Sequence, residues 1–301
     1  MLLQEHTLKT NWKSYKMFSD ILLTVDFDRT LTGPDSAIPQ ENIEAIEWFI
    51  AHGGAFTVNT GRSVPMCQAQ IIGKVPMNAP LLVYNGSAAY DVEQKKFIRC
   101  YPLDADPDGL ITDLIDAFPD LIIEVQGLEG HHVLRQNPLW GKFSKTNNCA
   151  YSVVDKVPRP LIKLAIYTGI DETGVPSLYE TNPAEQKRLQ QVIDYVAEKY
   201  GEKLIIFQAC PRLVDIHAKG CSKLQIARDI QKEMGRKVLV CVGDGHNDIP
   251  MMEGADYAFC PADGAIADRF PNVCNCAEGS VAEVIYKKIP EICKTYLTEW
   301  K

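Results

Sequence analysis

Apolar positions fall into two rhythms along the chain. Residues 21–25, 55–58 and 81–84 are short apolar runs bounded by polar or glycine-containing segments, the signature of buried strands. Between the first two, Ile43, Ile46 and Ile50 recur at helical spacing in a segment opened by Pro39 and closed by Gly53-Gly54. Residues 65–72 predict a second helix. Apolar strands separated by amphipathic helices indicate a parallel sheet covered on both faces. Asn85-Gly86 breaks the alternation, and residues 88–101 predict a hairpin around 91–96. The alternation resumes late: Ser222 caps a helix carrying Ala227, Ile230 and Met234 on one face and ended by Gly235. Strands at 238–242 and 257–260 follow, with a helix opened by Asp248-Ile249-Pro250 between them, and these extend the same sheet.

The middle of the chain has a different order. A helix near 108–118 precedes strands at 121–125 and 131–134, and after an irregular stretch residues 161–167 form another strand. Asn182-Pro183-Ala184-Glu185 reads as a capping-box helix start, with Leu189, Val192, Ile193 and Val196 as the apolar stripe and Gly201 as the stop. Strands at 204–207 and 212–216 pair next. Helix–strand–strand, twice over, predicts an open antiparallel sheet with helices on one side. The expected fold class is α/β, a parallel-sheet core of residues 21–103 and 216–301 interrupted by an α+β insertion at 104–215, with 1–20 as an N-terminal arm.

Composition narrows the function. The 301 residues carry 31 basic and 39 acidic side chains, a formal charge of −8, so no basic excess exists for a long nucleic-acid footprint. A small phosphorylated ligand needs only one or two local cations. No apolar run reaches the roughly 18 residues of a membrane span, and residues 1–20 lack the apolar centre of a signal peptide. The ten cysteines are scattered through strands and helices, and the Cys274/Cys276 pair has no second pair or histidine spacing to complete a zinc site. Reduced thiols in a cytoplasmic protein are the expectation. The oligomeric state is left open.

Four elements carry candidate chemistry. Asp26-Phe27-Asp28-Arg29-Thr30 directly follows the run at 21–25, so two carboxylates sit at the end of a buried strand, where they are costly unless compensated. A divalent cation and an incoming phosphate would compensate them. Thr60-Gly61-Arg62 follows the strand at 55–58 and offers a hydroxyl and a close backbone N–H to a phosphate oxygen. Lys219 and Lys223 both lie near the start of the helix capped by Ser222. The helix dipole disfavours a cation at Lys223 unless a phosphate or a carboxylate cluster faces it. Gly243-Asp244-Gly245-His246-Asn247-Asp248 follows the strand at 238–242, and carboxylates on such a tight loop suit a hard cation such as Mg²⁺. All four fall at or just beyond strand C-termini, where open α/β sheets bind ligands.

Taken in order, DFDRT, TGR, YNGS at 84–87, AKGCSK at 218–223 and GDGHNDIPMM at 243–252 resemble the motifs of the haloacid dehalogenase superfamily of phosphohydrolases, in particular its Cof-like subgroup with a type C2 cap. The resemblance covers nearly all of the chain after Asp20. It implies a Rossmann-like three-layer core, with the insertion acting as a cap over the site. It further implies Mg²⁺-dependent hydrolysis of a small phosphorylated metabolite, such as a sugar phosphate, through an aspartyl-phosphate. In that scheme Asp26 is the nucleophile and Asp28 the acid and base. Asp26, Asp244, Asp248 and the Asp28 carbonyl serve the metal, Asp248 through water. Thr60, Gly61, Lys223 and Asn247 hold the phosphate oxygens, with Arg62 and Asn85 beside them. The chain departs from the family pattern in two places: Arg29 stands where glycine is usual, and Leu224 follows the lysine in place of glycine. Alignment favours Lys223, with Lys219-Gly220 as runner-up. Cap candidates for substrate contact are Glu124, Gln126, His131, His132 and Arg135. A phosphomutase on the same scaffold shares every core residue, and a non-catalytic phospho-ligand sensor shares the fold.

Overall fold

The structure is a computed structural model that describes residues 17–103, 106–134, 149–167 and 182–299. Most of the expected N-terminal arm, the 103/104 boundary and Arg135 therefore lie outside the described residues. Within the arm, Phe18 is fully buried, with its ring 5.2 Å from Trp48 and 5.1 Å from Phe49.

The chain opens with β1 (Ile21–Val25), α1 (Gln40–Ala51), β2 (Ala55–Val58) and α2 (Val64–Gln70), and continues into β3 (Leu81–Val83), β4 (Ala88–Asp91) and β5 (Lys96–Cys100). The insertion contains α3 (Pro107–Ala117), β6 (Ile122–Gly127), β7 (His131–Val133), β8 (Tyr151–Val153), β9 (Leu161–Tyr167), α4 (Pro183–Tyr200), β10 (Leu204–Cys210) and β11 (Leu213–Ala218). The chain then returns through α5 (Lys223–Glu233), β12 (Val238–Val242), α6 (Ile249–Glu253), β13 (Tyr257–Pro261), β14 (Asn272–Val273), α7 (Ser280–Glu283) and α8 (Ile289–Glu299). The expected boundary between 215 and 216 falls inside β11.

The core sheet is parallel throughout, in the order β14-β13-β12-β1-β2. Strand alternation sorts its side chains onto two faces. Leu23, Val25, Val240 and Val242 pack with Ile46 and Phe49 of α1 and Val281 of α7. Leu22, Leu239 and Cys241 pack with Ile226 and Ile230 of α5 and Met251 of α6. Each such side chain contributes roughly 1.5–3 kcal/mol when fully buried, and the result is three layers. The run at 81–84 departs from expectation. It pairs antiparallel with β4 and meets the parallel sheet at the bridge Asn59–Leu82. Tyr84 (φ 53°), Asn85 (φ 52°) and Gly86 (φ 93°) turn the chain there through the left-handed region, sending it back as a hairpin.

The insertion forms a six-stranded sheet, β10-β11-β9-β6-β7-β8, antiparallel except for β7–β8. β8 lies in the stretch whose sequence showed no strand pattern. Alternation again decides what faces where. Ile123, Val125, Leu164, Ile166, Val214 and Ile216 pack against Leu110, Leu114, Leu189 and Val192 of α3 and α4. Their neighbours Glu124, Gln126, Lys163, Tyr167, Asp215 and His217 therefore occupy the opposite face, where they are buried and where Lys163, Asp215 and His217 bond to Gly61, Asn85 and Ser87 of the core.

Candidate active site

The parallel register of β1 and β12 sets Val25 beside Val242, and the Asp26 N–H donates to the Val242 carbonyl (2.9 Å). Asp26 and the loop carrying Asp244 and Asp248 thus leave adjacent strands side by side. One oxygen from each of these three carboxylates lies within 4.8 Å of the others. Lys223, only 2% exposed, stands among them and donates to Asp26 Oδ1 (2.5 Å) and Asp248 Oδ1 (2.7 Å). The other Asp248 oxygen accepts from the Asp244 and Gly245 amides (3.1 and 3.0 Å), and Thr30 Oγ1 donates to Asp244 (2.8 Å). Ser222 makes this placement possible by capping α5 through the Gln225 N–H (3.0 Å). Lys219 is exposed and donates to the Gly201 carbonyl (2.8 Å), away from the carboxylates.

The charges do not balance within the chain. Burial raises the Asp26 carboxyl well above the usual range, opposed by Lys223 and reinforced by Asp248 and Asp244. Asp244 is pushed up to about 7 by burial and then by Asp248. Burial lowers the Lys223 ammonium, but Asp248 and Asp26 outweigh it and hold the lysine charged. One ammonium against three carboxylates leaves a deficit that a divalent cation would remove, and the all-oxygen donor set fits a hard metal ion.

The residues expected to hold a phosphate gather next to this cluster. Thr60 is 1% exposed at the end of β2, and its N–H is held by the Leu82 carbonyl (3.0 Å). A Cβ at Gly61 would lie 2.8 Å from Asn85 Oδ1, so any larger residue there would have to displace the Asn85 side chain. Asn85 accepts a long hydrogen bond from Asn247 (3.5 Å). Arg62 lines the same cavity, where Nε and Nη2 bind both oxygens of Asp28 (2.8 and 2.6 Å) and the guanidinium lies 5.0 Å over the Phe27 ring. Arg29 adopts φ 59°, ψ 11°, which explains why glycine suits the position; an L-residue there costs about 1–2 kcal/mol.

The polar face of the inserted sheet forms the roof. His131 binds Ser63 Oγ (2.6 Å) through Nε2 and Glu124 through Nδ1. Burial lowers its imidazole, but Glu124 outweighs this, and the group rises to about 9, so it is protonated and donates from both nitrogens. Glu124 lies behind His131 and also accepts from Tyr167 (3.0 Å). Lys163 donates to Asp215 Oδ2 (2.9 Å) and to the Gly61 carbonyl (3.2 Å), and Asn85 donates to the same Asp215 oxygen (2.9 Å). Burial raises Asp215, and Lys163 pulls it back. His217, on the same face, binds Ser87 (2.7 Å) and is held neutral by burial and by Lys163. His132 turns aside to Ser152 (2.7 Å) and does not line the cavity.

Floor and roof enclose a cavity of about 880 Å³, lined among others by Asp26, Thr60, Asn85, Gln126, Lys163 and Asp215. That volume suits a small molecule rather than a macromolecule. The sequence reading missed Ser63, Lys163, Tyr167, Asp215 and His217. The signal for the strand residues was a polar or aromatic side chain alternating with apolar ones; Ser63 showed only as a residue before Pro65 at a helix start. Among the described residues no helix is long and apolar enough to cross a membrane, and Cys274 and Cys276 are not bridged.

A sequence model of the haloacid dehalogenase-like hydrolases matches residues 23–265. No curated protein sequence matches the chain significantly. Solved structures do. A Plasmodium vivax chain described provisionally as a HAD/COF-like hydrolase is 26% identical, with TM-score 0.70 and coverage of 91% of this chain and 97% of that one. A haloacid dehalogenase-like hydrolase from B. subtilis gives TM-score 0.73 at 14% identity, covering 88% and 99%. The HAD subclass IIB sugar phosphatase BT4131 gives 0.70 at 17% identity, covering 90% and 99%. The family match spans most of the chain, including the loops that carry Asp26, Thr60, Lys223 and Asp244: the protein belongs to the haloacid dehalogenase-like hydrolases, in their Cof-like subgroup.

Proposed function

We propose that this hydrolase is a Mg²⁺-dependent phosphatase that cleaves a small phosphorylated metabolite, a sugar phosphate, through an aspartyl-phosphate on Asp26. The observation that carries this is the cluster of Asp26, Asp244 and Asp248 around the buried Lys223. Asp26, Asp244 and the Asp28 carbonyl would hold Mg²⁺, with Asp248 through water; bound there, the ion supplies charge neutralisation between the carboxylates and a phosphate dianion. Asp26 attacks phosphorus in line with the leaving oxygen. Thr60, the Gly61 N–H, Lys223 and Asn247 hold the phosphate oxygens. Asp28 gives its proton to the leaving oxygen and later takes one from the hydrolytic water. Arg62 binds both Asp28 oxygens and thereby orients the carboxyl, which stays 44% exposed, toward the cavity side of the site.

Residues 104–215 act as the cap, and their polar sheet face closes the site from water. The sugar-phosphate class draws support from the cavity size, the polar roof and the fold shared with a sugar phosphatase. The test is phosphate release from a panel of monophosphates with Mg²⁺. Asp26→Asn should remove turnover while circular dichroism stays unchanged, and substantial activity in that variant would refute the nucleophile.

A further inference from the structure

Two buried side-chain acceptors in the roof of the cavity have no partner. Asp215 Oδ1 and Gln126 Oε1 make no hydrogen bond, although the residues are only 1% and 2% exposed. Both residues line the cavity that also reaches Asp26 and Thr60. Native proteins leave few such atoms unsatisfied, so each calls for a partner. Gln126 lies two residues from Glu124 on the same strand face, and its carbonyl oxygen is the end left without a partner.

The surroundings define what fits. Asp215 is anchored at Oδ2 by Asn85 of the core and by Lys163. Lys163 lies directly across the sheet from Gln126, and its bonds to Asp215 and the Gly61 carbonyl use two of its three N–H groups. A ligand group here therefore meets two acceptors and a neighbouring ammonium. A second phosphate or a carboxylate has no proton for Asp215 and would be repelled by it. An amine would be repelled by Lys163. A hydroxyl donates to the one and accepts from the other.

We propose that Asp215, with Gln126 beside it, is a specificity-determining residue that binds a hydroxyl on the leaving-group part of the substrate. The idea rests on the phosphatase reading above. It also explains why Asp215 is tied to the core: the same carboxylate that reads the hydroxyl is held by Asn85, which abuts Gly61 and Asn247 in the phosphate site.

The test compares full-length wild type with Asp215→Asn and Gln126→Met. The substrates are hydroxyl-bearing monophosphates (hexose 6-phosphates, glycerol 3-phosphate) and hydroxyl-free ones (p-nitrophenyl and ethyl phosphate). Expected is a wild-type preference for the hydroxyl-bearing set. Each variant should lose about 10- to 100-fold in kcat/KM on that set, mainly through KM, and less than about threefold on the hydroxyl-free set. Equal losses on both sets mark a merely structural role and overturn the proposal, as does a wild type indifferent to the hydroxyls. Gln126→Met, which removes no charge, keeps the test decisive if Asp215→Asn folds poorly. A wild type that releases phosphate from none of these compounds fails the phosphatase reading itself, and is distinct from a wild type that is active while its variants show no selective loss.

Discussion

Lys223→Met removes the one ammonium buried among Asp26, Asp244 and Asp248 and leaves a side chain of similar length. Lys223 is 2% exposed and bonded to two carboxylates, so its loss strands buried charge rather than trimming a surface contact. Breaking a buried pair from one side costs about 3–5 kcal/mol. At about 2 °C per kcal/mol for a chain of this size, Tm should fall by roughly 6–10 °C. Mg²⁺ should restore part of that loss, because the remaining carboxylates are the residues assigned to hold it. Turnover should fall by about 100-fold or more, as for other lost electrostatic donors at a reacting phosphate or acyl group. Lys219→Met is the control: Lys219 is exposed and bonded only to the Gly201 carbonyl, so its removal should cost within about 0.5 kcal/mol. Thermal denaturation with and without Mg²⁺, together with phosphate release, measures all of this. The reasoning fails if Lys223→Met melts like wild type and stays active, or if Lys219→Met shows the larger loss of activity.

Chelation with EDTA should abolish phosphate release and lower Tm, with Mg²⁺ reversing both; undiminished turnover in EDTA would remove the metal from the scheme. Arg62→Lys cannot span both Asp28 oxygens. It should lower kcat/KM about tenfold with a stability change under about 1 kcal/mol, since Asp28 is 44% exposed; unchanged kinetics would separate the clamp from catalysis. The His131–Glu124 pair predicts a pH effect on stability. His131 rises to about 9 in the folded chain, so its contribution is fully present below the unfolded value near 6.5 and is lost as pH rises through about 9. The size is on the order of 3 kcal/mol, read as a falling Tm between pH 7 and 9.5 that His131→Gln should flatten. Equal slopes in the two proteins would refute it. Glu124 is lowered, burial being outweighed by His131, so its share is present above the unfolded carboxylate value and lost as pH falls through the depressed one.

The floor of the site was legible because Asp26, Thr60 and Asp244 each follow an apolar run within a residue or two and lead the loops that carry the rest, and parallel sheets gather such positions at one end. Lys223 needed more than local rules, since the helix dipole argues against a cation in a first turn; three carboxylates on other strands override it. The roof was legible only as two faces of a sheet. Lys163 inside Leu-Ile-Lys-Leu-Ala-Ile-Tyr and Asp215 inside Leu-Val-Asp-Ile-His-Ala declare a polar side, yet the pairing of Lys163 with Asp215 joins residues 52 apart, and the contact with Gly61 spans 102. Nothing local encodes such partners. The Arg62–Asp28 clamp, spanning 34 residues, is hidden for the same reason.

Arg29 is the converse case, a residue whose oddity shows in sequence but whose cause is conformational. At φ 59° a glycine would sit without strain, so the arginine is kept against about 1–2 kcal/mol of backbone cost. Its side chain lines the cavity, and its charge opposes a little of the rise that burial and Asp248 impose on Asp244, while it makes no ion pair among the described residues. A cation placed beside a crowded carboxylate loop offsets some of the repulsion that raises Asp244. Arg29→Gly should therefore relax the backbone and weaken the electrostatics together: Tm shifts by little, while activity falls at limiting Mg²⁺ or substrate. A variant that gains stability and loses no activity would show that the backbone strain at this position serves no electrostatic purpose.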